Sequence, residues 1–133
     1  MESTFAMIKP DGVRKNLIGE IVSRFEKRGL SIEDMRLERL LEKTAKTHYR
    51  EHEGKAFFQD LVDFVISGPV VLLKISGIDG TVDIVRSMIG ATDPADAASG
   101  TIRGDYATEI SENIIHGSDS LESSARELGL FFP

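Results

Sequence analysis

Apolar residues in this chain occur in short blocks whose spacing changes repeatedly between the patterns of strands and helices. Residues 4–8 and 70–75 form compact apolar runs, the second rich in β-branched side chains and directly after a proline. From Leu17 onward, apolar residues instead recur every three or four positions up to Gly29. A chain that mixes both periods buries its strands by packing helices against a sheet, which predicts an α+β fold.

The same patterns predict the order β-α-β-α-α-β-α-loop-β-α, with a mainly antiparallel sheet. The predicted strands are 4–8, 31–41, 70–75 and 113–117, and the predicted helices are 17–29, 47–53, 57–66, 81–89 and 120–128. Pro10-Asp11-Gly12 is typical of a turn. Residues 93–106 contain one proline, two glycines and many small side chains, and they are predicted to form a long functional loop.

Composition limits the possible classes of protein. With 133 residues, 41% of them hydrophobic, the chain predicts a single domain over residues 1–133. It has no cysteine, which excludes disulfides and thiolate metal sites. The net charge of −6 argues against a polynucleotide or an anionic membrane as partner. No signal-peptide pattern precedes the first strand, and the most apolar stretch, 64–73, is interrupted, so we expect a soluble, cytoplasmic protein.

Positive charge is scarce in the second part of the chain. Residues 1–55 carry 12 Lys and Arg against 10 Asp and Glu, whereas residues 56–133 carry 4 against 12. Those four cations are Lys74, Arg86, Arg103 and Arg126. An isolated cation in an acidic segment is either a surface ion-pair partner or a ligand for an anion, and the first reading is the commoner one.

Several motifs with known chemistry are absent or weak. The chain contains no Gly-x-Gly and no P-loop, so phosphate binding would need another arrangement. The segment from His48 to His52 matches the His-x-x-Glu-His pattern of some zinc peptidases. The pattern is short and arises by chance in helices rich in Glu and His. We therefore interpret it as an ordinary surface helix and keep the zinc peptidase as a minor alternative.

His116 is the histidine in the most informative surroundings. It follows two β-branched residues and precedes Gly117, at the predicted end of a strand. Neutral imidazole is a competent nucleophile. A single histidine is more often a hydrogen-bonded structural residue, so this position alone does not decide between the two.

Six segments, in order and near the expected spacing, resemble the nucleoside diphosphate kinase family. They are IKPDGV at 8–13, the segment 48–58, SGPVV at 67–71, GATDPAD at 90–96, GTIRGD at 100–105 and NIIHGSDS at 113–120. The resemblance implies a ferredoxin-like βαββαβ sandwich with a four-stranded antiparallel sheet covered by helices. It also implies transfer of a terminal phosphoryl group from a nucleoside triphosphate, such as ATP, to a nucleoside diphosphate. The family's ping-pong mechanism would proceed through a phosphohistidine on His116.

The resemblance further assigns roles to individual residues. Lys9, Tyr49 and Asn113 would surround the phosphoryl group or the ribose; Arg86, Thr92 and Arg103 would hold the distal phosphates; Phe57, Leu61 and Ile110 would form the base slot; Ser118 and Glu127 would orient His116. Mg²⁺ would bind chiefly through the nucleotide phosphates. No protein metal ligand is assigned. The assembly would be a homo-oligomer. Loss of Arg86 or Arg103 would cost a few kcal/mol of transition-state stabilisation.

Each assigned residue also has a simpler interpretation. Phe57, Leu61 and Ile110 suit a hydrophobic core, Glu127 a solvated helix face, Lys9 and Asn113 an exposed surface, and Thr92 a helix or turn cap. The chain departs from the family at Ala56, where proline is common, in a longer 77–83 connection, and in its short C-terminus, which leaves the oligomeric state open. The competing hypothesis of another class is a non-catalytic ferredoxin-like binding module, such as an RNA binder. That module would place aromatic and basic residues on its central strands, which 70–75 does not do.

Overall fold

The computed structural model describes residues 1–133, and its strands form one antiparallel sheet. The strands are β1 (Glu2–Ile8), β2 (Ser31–Glu38), β3 (Val70–Gly77) and β4 (Ile115–Gly117), in the spatial order β2-β3-β1-β4. All three pairings are antiparallel. The predicted α+β class with a four-stranded, ferredoxin-like sheet is confirmed.

Helices cover both faces of this sheet. They are α1 (Pro10–Arg14), α2 (Ile18–Lys27), α3 (Glu42–His48), α4 (Phe58–Val65), α5 (Thr81–Ile89), α6 (Ile102–Tyr106) and α7 (Leu121–Phe131), with 3₁₀ turns at Arg50–His52 and Pro94–Asp96. None of them has the length and apolar character needed to cross a bilayer.

The central strands β1 and β3 are buried on both faces, which explains their continuous apolar sequence. In β1, Ala6 and Ile8 belong to a core with the buried side of α2 and α5. The alternate residues Phe5 and Met7 belong to a second core with α3, α4 and the end of α7. Side chains alternate across a strand, so one short segment contributes to two cores.

The catalytic candidate enters the sheet at the edge strand β4. His116 lies opposite Met7 in the β1–β4 ladder. Directly opposed residues of an antiparallel pair point to the same face. The His116 side chain therefore lies on the face of the sheet that carries Phe5 and Met7 and that α7 covers.

Three sequence predictions of local structure were wrong. The helix predicted at 47–53 is α3, which starts at Glu42 and ends at His48, followed by a 3₁₀ turn. The turn at Pro10 opens α1, because proline at the first helical position needs no hydrogen-bonded N–H. The long loop predicted at 93–106 contains α6, whose first turn is capped by the Thr101 side chain accepting from the Gly104 N–H.

Candidate active site

His116 is half-buried, and its imidazole contacts Glu127 of α7. Its Nε2 lies 2.8 Å from Glu127 Oε1. The same carboxylate oxygen accepts a 2.6 Å hydrogen bond from Ser118 Oγ, and Arg126 lies 3.3 Å from Glu127 Oε2. Glu127 is 3% exposed. This excludes the solvated helix face as its setting.

The charge state of Glu127 determines which nitrogen of His116 carries the proton. Burial raises the pKa of Glu127, but the hydrogen bonds from His116 and Ser118 and the charge of His116 outweigh burial and bring the pKa to about 2. An ionised carboxylate only accepts hydrogen bonds, so Nε2 must donate. Nδ1 of His116 therefore bears the lone pair and is the nitrogen available to a reacting group.

A second group of polar residues surrounds Asn113, at the start of the segment leading into β4. Lys9, directly after β1, donates a hydrogen bond from Nζ to Asn113 Oδ1. Asn113 Nδ2 donates to the main-chain oxygen of Thr92 at 2.9 Å. Lys9 and Asn113 are both buried, which excludes a surface setting for them. Burial lowers the pKa of Lys9 to about 8, although the charge of Asp11 opposes this effect.

Arg103 is tied to the backbone on three sides. Its Nε donates to Asn113 O at 3.2 Å, its Nη1 to Gly90 O at 3.1 Å and its Nη2 to Ile115 O at 2.6 Å. Burial, and then the charge of Arg86, lower the pKa of Arg103 to about 10, so it remains a cation at neutral pH. These three hydrogen bonds, which we call the Arg103 clasp, connect Arg103 to Gly90 after α5 and to Asn113 and Ile115 on the approach to β4.

Arg86 is the exposed counterpart of Arg103. It lies in the last turn of α5, is exposed, and has no hydrogen bond or ion pair in the structure. Its positive charge contributes to the lowered pKa of Arg103, as expected for two neighbouring cations. The structure therefore combines a fixed guanidinium with a free one.

The predicted base slot lies on exposed surface. Phe57 is 46% exposed and Ile110 is 59% exposed, so neither is a core residue. Leu61 is half-buried and lies one helical turn after Phe57, to which its N–H is bonded. Tyr49 follows α3, and burial raises the pKa of its hydroxyl to about 12. The side chain of Thr92 is exposed, and Asp93 rather than Thr92 caps the next 3₁₀ turn.

The interpretation of His48 as part of a surface helix was wrong. His48 is 3% exposed, and its ring lies 4.8 Å from that of His116, centroid to centroid. Neither of its nitrogens has a hydrogen-bond partner, and burial lowers its pKa to about 3. His52 lies in the following 3₁₀ turn with Nδ1 3.3 Å from Lys55 Nζ. The two histidines of the zinc pattern thus belong to different elements and have different neighbours.

The sequence reasoning also missed Arg126 and Asp11. Arg126 contacts Glu127, and Asp11 accepts a hydrogen bond from the Ile114 N–H at 2.9 Å. Asp11 was interpreted only as a turn residue. The burial of the Asp11 side chain is visible only once the fold brings α1 against residues 113–115.

The sequence of this chain is similar to those of known proteins over nearly its whole length. The family model described as nucleoside diphosphate kinase matches residues 2–133. A Saccharolobus solfataricus protein named nucleoside diphosphate kinase is 56% identical over 98% of this chain and 94% of its own length. The Sulfolobus acidocaldarius protein of the same name is 55% identical over 99% of this chain and 90% of its own.

Solved structures give the same result. A Babesia bovis nucleoside diphosphate kinase family protein superposes with a TM-score of 0.96 at 44% identity, covering 99% of this chain and 88% of that one. The Halobacterium salinarum nucleoside diphosphate kinase in complex with CDP superposes with a TM-score of 0.95 at 49% identity, covering 98% and 87%.

Fold, site and relatives together define an enzyme of the nucleotide phosphotransferase class. The match extends over nearly the whole chain, at an identity that leaves no ambiguity of family. The chain belongs to the nucleoside diphosphate kinase family.

Proposed function

We propose that the enzyme transfers the terminal phosphoryl group of a nucleoside triphosphate to a nucleoside diphosphate through a phosphohistidine at His116 Nδ1. The observation that carries this proposal is the 2.8 Å contact between His116 Nε2 and the ionised Glu127 carboxylate. That contact leaves the Nδ1 lone pair free. In the solved Halobacterium salinarum complex, the bound ligand is CDP, a nucleoside diphosphate.

The proposed reaction has two halves at one nitrogen. Nδ1 attacks the γ-phosphorus, an Nδ1–P bond forms, and the bond from phosphorus to the β-γ bridging oxygen breaks to release the diphosphate. A terminal oxygen of a second diphosphate then attacks the same phosphorus and releases the imidazole. The ring gains positive charge while phosphorylated, and the buried Glu127 carboxylate at 2.8 Å stabilises that charge.

Cationic and neutral donors would hold the phosphates. We assign Lys9 and Asn113 to the migrating phosphoryl group, Arg103 and Arg86 to the neighbouring phosphates, and the hydroxyls of Tyr49 and Thr92 to the ribose and phosphates. Arg103 has five N–H donors and uses three of them on the backbone, so two remain for an anion. A loose phosphoryl-transfer transition state gains mainly from such positioned charges.

The nucleobase would lie on Phe57, between Leu61 and Ile110. The exposed ring of Phe57 is available for stacking, and stacking on an aromatic ring tolerates every base. We therefore propose broad base specificity.

A Mg²⁺ ion fits this site when the nucleotide carries it. The side chains assigned to the phosphates are cations and amides, not the carboxylates that would hold Mg²⁺ directly, and both oxygens of the nearby Glu127 already have protein partners. Bound to the phosphate oxygens, Mg²⁺ would neutralise their charge. We assign it no protein ligand.

We also propose that the protein is a homo-oligomer. Strand β2 is an edge strand, and its exposed face includes Met35 at 50% and Leu37 at 63% exposure. An exposed edge with apolar side chains favours pairing with another chain.

The proposal is tested by labelling. The purified enzyme, incubated with γ-labelled ATP and Mg²⁺, should take up about one label per chain in a bond that is acid-labile and stable to base. Addition of unlabelled diphosphates of several bases should remove the label as the corresponding triphosphates. Transfer that requires both nucleotides to be present together, without a labelled enzyme, would contradict the mechanism.

Lys9 predicts an alkaline limit for the free enzyme. Because its pKa is about 8, Lys9 loses its positive charge above that pH, and kcat/KM should then fall as the pH rises. Arg103, with a pKa of about 10, and Tyr49, with a pKa of about 12, titrate later. In Lys9→Arg the fall should move to higher pH, since guanidinium stays protonated. Identical alkaline limbs in the two enzymes would show that another group is responsible.

A further inference from the structure

The backbone immediately before His116 adopts a rare conformation. Ile114 has φ = +74°, a left-handed value that is a marked outlier for a β-branched residue. The N–H of Ile115 donates to Asn113 O at 2.8 Å, which closes a three-residue turn around Ile114. This is the strained form of the γ-turn. It separates Asn113 from His116, two residues assigned above to the phosphoryl group.

Such a conformation persists only when its surroundings enforce it. Arg103 binds the carbonyls on both sides of the turn, those of Asn113 and Ile115. The main-chain N–H of Lys9 donates to Ile114 O at 2.8 Å. These contacts satisfy the carbonyls of the turn, but they leave its central N–H to be satisfied by another group.

Asp11 supplies that partner. Its Oδ2 accepts from the Ile114 N–H at 2.9 Å, and the side chain is 1% exposed. A buried carboxylate is costly, and its other oxygen, Oδ1, has no hydrogen-bond partner. Asp11 lies in the first turn of α1, but no side-chain hydrogen bond caps that helix.

Gly12 allows α1 to approach the turn closely enough for this contact. A Cβ at Gly12 would lie 3.0 Å from Ile114 O and 2.7 Å from Ile8 Cγ2. Both distances are shorter than ordinary van der Waals contact. Asp11 therefore hydrogen-bonds the central N–H of the turn, and Gly12 leaves the space for this contact. Arg103 hydrogen-bonds the carbonyls of the two residues that flank Ile114.

We propose that Asp11 is a positioning residue, whose carboxylate holds the strained γ-turn at Ile114 and so fixes Asn113 and His116 relative to each other. Without this acceptor, rotation of Ile114 to an ordinary φ would relieve backbone strain. That rotation would move the side chains of Asn113 and His116 relative to each other. Displacements of about 1 Å at reacting groups can reduce rates by about 10²-fold. The proposal rests on the proposed function for its kinetic readout but not for its structural one.

The test compares three single variants in single-turnover labelling from ATP, at about pH 6 so that Lys9 stays protonated. Asp11→Ala removes the acceptor, and the labelling rate per folded molecule should fall about 10²-fold. Asp11→Asn keeps an acceptor oxygen without the charge and should restore most of the rate. The matched control is Glu2→Ala. Glu2 is a carboxylate that accepts from the N–H groups of Gly80 and Val82 at 2.9 and 2.7 Å, at the far end of β1.

A fourth variant separates positioning from lost stability. Glycine adopts a positive φ without steric cost, so in an Ile114→Gly background the added effect of Asp11→Ala should shrink. If Ile114→Gly does not fold, the difference in labelling rate between Asp11→Asn and Asp11→Ala tests the positioning role. Equal rates for Asp11→Ala and wild type, or an equal loss in Glu2→Ala, would overturn the proposal.

A structural readout keeps the two hypotheses apart. The Ile114 amide should show an NMR chemical shift typical of a donor to a carboxylate, and that shift should change in Asp11→Ala but not in Glu2→Ala. Should wild-type enzyme take no label at His116, the proposed function fails while the amide shift still tests the Asp11 contact. An unchanged Ile114 amide in Asp11→Ala overturns the positioning role in either case.

Discussion

Replacing His116 with alanine should lower phosphoryl transfer by at least about 10⁴-fold, with no label retained on the protein. Nδ1 is the atom that would form the bond to phosphorus, and no neighbouring group has the same access to that position. His48 is next to it, but its ring is buried, and its pKa of about 3 keeps it neutral among aromatic side chains. The measurements are labelling from ATP and steady-state turnover of a diphosphate.

The variant should otherwise remain folded and able to bind nucleotide. His116 is only half-buried, so its loss leaves no large cavity. In the variant, Ser118 and Arg126 still contact the Glu127 carboxylate. His52→Ala is the matched control, because the chain has three histidines and this one lies in a separate 3₁₀ turn. Full labelling of His116→Ala, or loss of label in His52→Ala, would place the nucleophile elsewhere.

Sequence patterns predicted the helices and strands whose signals lie within their own segment of the chain. The helix α5 was predicted with its exact bounds, Thr81–Ile89, because glycines flank it and its apolar positions repeat at helical spacing. Strand β3 was found from its apolar run. By contrast, α6 lies in a glycine-containing segment of low helix propensity, and distant contacts support it. Arg24 reaches from α2 to Gly100 O and Asp105 Oδ2 at 3.2 and 2.7 Å.

The candidate site likewise contains residues that the sequence predicted and residues that only the structure revealed. The family resemblance supplied His116, Ser118 and Glu127 together, and the structure joins them by hydrogen bonds of 2.6 and 2.8 Å. It could not supply His48 or Asp11 from local patterns. The first resembles a surface helix residue and the second a turn residue until the sheet brings them against β4. Their significance lies in burial, which a short sequence window does not encode.

The two arginines were equivalent in the sequence, but the structure predicts that their variants will differ. Arg103→Ala removes one charged hydrogen bond from each of three carbonyls, those of Gly90, Asn113 and Ile115. Hydrogen bonds to charged groups and unsatisfied buried acceptors each contribute on the order of 1–3 kcal/mol, so a loss of about 3–5 kcal/mol of unfolding free energy is expected. The melting temperature should fall by roughly 10–20 °C.

Arg86→Ala should leave stability within about 0.5 kcal/mol of wild type, because Arg86 is exposed and unpaired. Both variants should lose about 10²–10³-fold in transfer rate per folded molecule through the missing phosphate contact. Thermal unfolding and single-turnover labelling, measured on the same preparations, distinguish the two effects. Lysine at position 103 should recover little stability, since one ammonium group cannot reach carbonyls on three sides. A wild-type melting temperature in Arg103→Ala would mean that the turn at Ile114 is held without its clasp, and that Asp11 and the Lys9 backbone suffice.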